Sequence, residues 1–164
     1  MATASHSLSR GWALAAAAVF SLAALAASPS VLEPGAGAAV RQAFAVLCHQ
    51  LPERTPHLGG EPLALCHRCS GVLAGLALGL VGAPLLRAGR LSAIAGSAQA
   101  GWLVAAAAPT ALDWAVGVVG IWANTPVSRS LTGAVFGLAA GLILGANLLT
   151  PPERHAPALT PSSS

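Results

Sequence analysis

Three cysteines and two histidines crowd one short polar stretch of an otherwise apolar chain: Cys48-His49-Gln50, then Cys66-His67-Arg68-Cys69. Thiolate sulfur and imidazole nitrogen are the donors that hold zinc, and paired thiols also exchange electrons with a disulfide. Cys66 and Cys69 sit three residues apart. On a helix that spacing turns both thiols to one side, which suits a tetrahedral metal or a disulfide. A helix N-terminus also lowers a thiol pKa, because unpaired backbone N–H groups favour the thiolate.

Zinc takes four ligands of S, N or O type. Cys48, Cys66 and Cys69 supply three, and His49, His57 or Asp113 is available as the fourth. Adjacent residues such as Cys48 and His49 reach one ion together only with difficulty, so His49 is either a ligand or a group that orients one. Ser70 rather than His follows Cys69, which disfavours c-type haem attachment. Two other readings stand beside the metal. One is a membrane thiol-disulfide oxidoreductase using Cys66–Cys69, although Cys48 lacks the partner a full dithiol relay needs. The other is a structural disulfide stapling the loop in an oxidising compartment.

Asp113 is the sole acidic residue within the apolar second half ahead of the polar tail, where Glu153 lies. An ionisable group there is expensive and is usually paired or functional. Arg129, across a short loop, is the expected partner and Arg68 the second candidate. In a catalytic version of the site, Asp113 is the acid/base and Arg129 or Arg68 holds an anionic substrate. Trp102, Trp114 and Trp122 read as interfacial anchors, and Asn124 and Ser128 as ordinary loop residues.

The elements that must position these groups are membrane spans. The 164 residues are 55% hydrophobic and only 8% charged, against about 25% charged in soluble domains. The net charge of +3 comes from scattered Arg, which gives nucleic-acid binding no support. Four apolar runs approach the ~20 residues a spanning helix needs: Gly11 to Ala27, Ser70 to Leu86, Leu91 to Leu112, and Leu131 to Leu149. Trp114 to Ala123 is too short to cross and reads as a re-entrant or interfacial segment.

The predicted organisation is a first transmembrane helix or a cleaved signal peptide over 1–28, a membrane domain over 29–150 carrying the Cys/His motif and three spans, and a disordered Pro/Ser tail over 151–164. A small-residue site near Ala24-Leu25-Ala26 keeps the signal-peptide alternative open. Ala38 to Cys48 has the pattern of a short amphipathic helix that delivers Cys48 at its end. The Pro- and Gly-rich stretch after it reads as an irregular loop.

Arg87 and Arg90 mark the tightest loop as cytoplasmic, which turns the Cys/His loop outward. Two spans look alike, with Gly71, Gly75 and Gly79 in one and Gly133, Gly137 and Gly141 in the other. Glycine at every fourth position makes a smooth helix face and lets two backbones approach closely. An internal duplication would produce the same pattern.

The series Cys48-His49-Gln50, Pro52-Glu53-Arg54, Leu65-Cys66, Arg68-Cys69-Ser70-Gly71, Gly75, Pro109 with Asp113, and Arg129 with Thr132-Gly133 resembles a family of small prokaryotic membrane proteins, catalogued as domain of unknown function 2085. The resemblance covers residues 40 to 145. It implies that Cys48, His49, Cys66, Arg68, Cys69, Asp113 and Arg129 belong to one site. It leaves His57 and His67 outside the pattern, and it implies no activity.

The resulting expectation is an all-α polytopic protein of about four transmembrane helices with Gly-xxx-Gly packing, in the inner membrane of a prokaryote. A zinc site sits at its outer membrane–water interface. Besides the lipid bilayer, the pattern admits a small anionic ligand and a homo-oligomer. A small carrier or channel is a further alternative, which the scarcity of charge along the spans disfavours.

Overall fold

Each long apolar run folds as a helix in the computed structural model, which describes residues 9–86 and 96–149. We number the helices α1 (Arg10–Ala27), α2 (Pro34–Phe44), α3 (His67–Leu85), α4 (Gly96–Val118) and α5 (Pro126–Leu149). All but α2 are long and apolar enough to cross a membrane. The Arg87/Arg90 loop, on which the orientation expectation rests, and the tail from 151 lie outside the described residues.

The centre of the bundle is the parallel pair α3 and α5, which share the most extensive contact of any two elements. The two glycine faces meet as the spacing predicts. A Cβ built on Gly79 would lie 2.8 Å from the Gly141 Cα, and one on Gly141 would lie 2.9 Å from the Gly79 Cα. No side chain fits between backbones this close, so glycine is required at both positions. All six of these glycines are buried.

Helix α1 is tied to this pair by hydrogen bonds that repair its defects. Pro84 lies inside α3 and has no N–H to offer the carbonyl of Leu80. Trp12 Nε1 donates to that carbonyl instead, at 2.8 Å. Ser9 caps α1 by accepting from Trp12 N at 3.1 Å, and its hydroxyl donates to the carbonyl of Leu148 in the last turn of α5, at 2.5 Å. Within lipid such carbonyls have no water to turn to, so these bonds matter more than they would at a wet surface.

Three boundaries differ from the sequence expectation. Helix α4 runs unbroken through Pro109 and Trp114 to Val118. The stretch from Trp114 is therefore an extension of α4 followed by a turn at Gly120 (φ 76°), not a separate re-entrant segment. Pro109 removes one helical bond, while the neighbouring Thr110 hydroxyl donates to the carbonyl of Thr132 at 2.9 Å and fixes this turn against α5. Helix α5 starts at Pro126, ahead of the apolar run. Pro126 sits at the first helical position, and Thr125 and Ser128 form reciprocal caps: Ser128 N donates to Thr125 Oγ1 at 3.0 Å and Thr125 N to Ser128 Oγ at 3.1 Å.

Helix α2 starts earlier than expected, with Pro34 in its first turn, and ends at Phe44. The loop after it is not wholly irregular. His57–Leu58 pairs with Glu61–Pro62 in a small antiparallel hairpin. Gly59 (φ 63°) and Gly60 (φ 89°) form its two-residue turn, in which both positions need the left-handed conformation.

Candidate metal centre

The cysteines converge where the C-terminal end of α1, the turn after α2 and the N-terminal end of α3 meet. Ala26, Phe44, Cys48, Ala64 and Leu65 form a buried cluster there, with Cys66 and Cys69 packed against it. Two short connections hold the loop in place. Ala64 N donates to the carbonyl of Ala26 at 2.9 Å. Gln50, held at φ 47°, donates from its side chain to the carbonyls of Arg41 at 2.7 Å and Ala64 at 2.9 Å. One amide thus ties α2 to the segment leading into α3 and draws Cys48 toward Cys66. Nothing in the spacing of the cysteines reveals this role of Gln50.

The sulfurs of Cys48, Cys66 and Cys69 all lie within 4.8 Å of one another, and all three cysteines are free. Tetrahedral zinc with Zn–S bonds of ~2.3 Å places its sulfurs about 3.8 Å apart, so the arrangement fits a shared ion without large movement. Cys66 N donates to Cys48 Sγ at 3.3 Å, which ties the loop cysteine to the start of α3. Cys66 caps α3, and its thiol is held well below the usual thiol range. The main cause is the hydrogen bond from the Cys69 side chain; burial opposes it, and further hydrogen bonds around Cys69, Cys48 and Arg68 assist it.

Among the described residues no His, Asp or Glu joins this cluster. His49 is exposed beside it and faces the same cavity. Asp113, the alternative fourth ligand, is engaged elsewhere. Its carboxylate forms an ion pair with Arg68, its side chain only 9% exposed and that of Arg68 24%. Arg68, not Arg129, is therefore its partner. Arg68 in the first turn of α3 reaches Asp113 on α4, whereas Arg129 in the first turn of α5 lines the cavity. An Asp bound this way holds the Arg68 guanidinium in place.

A cavity of about 480 Å³ fronts the three sulfurs. Cys48, His49, Cys66, Arg68, Cys69 and Arg129 all line it, so six of the seven residues that the resemblance groups together share one wall, and Asp113 joins through Arg68. His57 and His67 do not line it. Among the lining residues that the sequence reading did not place in the site are Gln50, Arg54, Gly117 and Asn124. Asn124, expected as a plain loop residue, donates from its side-chain amide to the Asp113 carbonyl. It sits directly on Gly117, where an added Cβ would meet the Asn124 Cγ at 2.6 Å. Trp114 lines the cavity as well as being largely exposed.

These features define a class: a helical membrane protein with four apolar spans and a three-cysteine cluster at one end of the bundle. The family model for domain of unknown function 2085, described as a predicted membrane protein, matches residues 48–143, and the chain belongs to that family. The chain is also similar to the uncharacterized protein MJ1492 of Methanocaldococcus jannaschii, with 27% identity over 94 residues, 57% of this chain and 58% of that protein. The match thus spans little more than half of the relative's length. No solved structure matches the chain.

Proposed function

We propose that this protein binds one zinc ion through the thiolates of Cys48, Cys66 and Cys69 at the outer membrane–water interface. The observation that carries this reading is the convergence of three free thiols within 4.8 Å, two of them drawn from a CxxC and the third from a separate loop. A dithiol enzyme needs only the CxxC pair, whereas a buried third thiol aimed at the same point is what an ion demands. The fourth position faces the cavity and is open to the His49 imidazole, to water or to a ligand. Zinc there would act as a Lewis acid toward whatever entered. Arg129 and Arg68 are the groups that would hold an anion, with Asp113 positioning Arg68.

A second reading, a thiol-disulfide oxidoreductase using Cys66–Cys69, is favoured by the lowered pKa of Cys66 at the helix N-terminus. The substitution Cys48→Ser separates the two. Under the metal reading it abolishes stoichiometric zinc. Under the redox reading, oxidation of Cys66 and Cys69 to a disulfide proceeds unchanged.

A further inference from the structure

A second depression adjoins the polar cavity at this end of the bundle. It is an apolar slot of about 220 Å³ between α1, α2 and α3, lined by residues such as Leu22, Phe44, Val72 and Leu76. The two share Leu47 and Cys69 in their walls. The Cys69 side chain therefore borders a wet, cationic chamber on one side and a hydrocarbon slot on the other. Leu22 and Leu47 are exposed on the outside of the bundle, so the slot opens where α1 meets lipid.

Apart from the cysteines, the charged side chains of the chamber are all cationic. Arg54, Arg68 and Arg129 line it, and no carboxylate does. Arg68 is matched by Asp113, and Arg54 has Glu53 at 3.7 Å. Among the described residues Arg129 has no ion pair. A half-buried guanidinium without a carboxylate partner is a ready donor of charge-assisted hydrogen bonds to an anion.

We propose that chamber and slot together hold one anionic membrane lipid, with its phosphate-type headgroup against Arg129 and Arg54 and an acyl chain in the slot. This rests on the reading of the chamber as a ligand site, but not on zinc being present. A free anion leaves the slot unused. A neutral lipid leaves Arg129 without a counter-charge. A protein partner needs an interface of about 1,000 Å² or more, whereas a slot of about 220 Å³ takes a segment of one acyl chain.

The test uses the full chain in nanodiscs of equal phosphatidylglycerol and phosphatidylcholine, then native mass spectrometry of the lipid retained on release. Phosphatidylglycerol is expected at one per chain, in preference to phosphatidylcholine. Arg129→Gln lowers its retention by about tenfold, as loss of a charge-assisted hydrogen bond implies. Arg129→Lys restores part of it. Leu22→Trp, which fills the slot from its exposed rim, lowers it as much. Leu14→Trp, on the same helix but outside the slot, leaves it unchanged. Helical circular dichroism confirms that each variant is folded.

Equal retention of the two lipids, or full retention in Leu22→Trp, overturns the proposal. So does complete displacement by inorganic phosphate that is equally effective in Leu22→Trp, which would mark a soluble-anion site. A dimer that Leu22→Trp dissociates without affecting lipid overturns it as well, with a second copy as the occupant. Repeating the assay after metal chelation separates this claim from the zinc reading: lipid retained by protein that never carried zinc contradicts only the latter.

Discussion

Replacing Gly75 by alanine places a methyl group 2.8 Å from the Leu138 nitrogen and 2.9 Å from the Ala134 carbonyl carbon, both backbone atoms of α5. Ordinary contact needs about 3.4–4 Å, so the helices must part by roughly 1 Å along their most extensive seam. Overpacking of this kind costs about 1–3 kcal/mol. Separation also weakens the Cα–H···O contacts across the seam, worth about 0.5–1 kcal/mol each. Alanine regains about 1 kcal/mol through its better helix propensity. The net expectation is a loss of about 2 kcal/mol. Gly101 in α4 supplies the control, because a Cβ there meets nothing within 4 Å. Gly101→Ala should stabilise by up to about 1 kcal/mol. The two substitutions are chemically identical and should differ in sign. Unfolding of the detergent-solubilised protein, followed by helical circular dichroism, measures both. If Gly75→Ala falls within about 0.5 kcal/mol of the parent, as an unconstrained surface site would, the close approach of α3 and α5 is refuted.

Other outcomes follow from the same geometry. Asp113→Asn leaves Arg68 charged and mostly buried without its partner, and should destabilise the fold by about 3 kcal/mol, the low end for a broken buried pair because Arg68 keeps some exposure; a loss under about 1 kcal/mol in the same unfolding assay would mean the pair is solvated. In metal-free protein at neutral pH, Cys66 should alkylate before Cys69 with iodoacetamide, and mass spectrometry of partly modified protein would show the reverse order if the hydrogen bond from Cys69 did not favour the Cys66 thiolate. A membrane-impermeant thiol reagent should reach Cys66 on intact cells after chelation; labelling that requires lysis would place the site on the cytoplasmic side.

The spans were legible because length and apolarity alone decide what can cross lipid, and the glycine faces because a four-residue period maps onto one side of a helix. The cysteine cluster was legible because Cys66 and Cys69 carry helical spacing and Cys48 follows a short amphipathic pattern that could deliver it, although α2 itself ends at Phe44. What depends on three-dimensional register was not. Arg129 is the nearer arginine to Asp113 in sequence, yet Arg68 pairs with it, since the parallel packing of α3 and α5 fixes which guanidinium reaches α4. The apolar run ended at Leu112, yet α4 continues to Val118, and the one bond that Pro109 removes is a small defect in a helix packed on a neighbour. The bridging amide of Gln50 and the seat of Asn124 on Gly117 depend on how a turn folds back on its neighbouring helix, and residue type alone does not announce them. Trp12 was equally silent: its bond to Leu80 exists only because Pro84 vacates that carbonyl.

The most direct test of the metal centre is the zinc content of protein purified in mild detergent without chelator or added metal, read alongside the number of thiols that react under denaturing conditions. The account predicts one zinc per chain, three reducible-agent-independent free thiols, and loss of the zinc in Cys48→Ser with helix content retained. Absence of bound metal together with a Cys66–Cys69 disulfide, leaving one reactive thiol per chain, would contradict it.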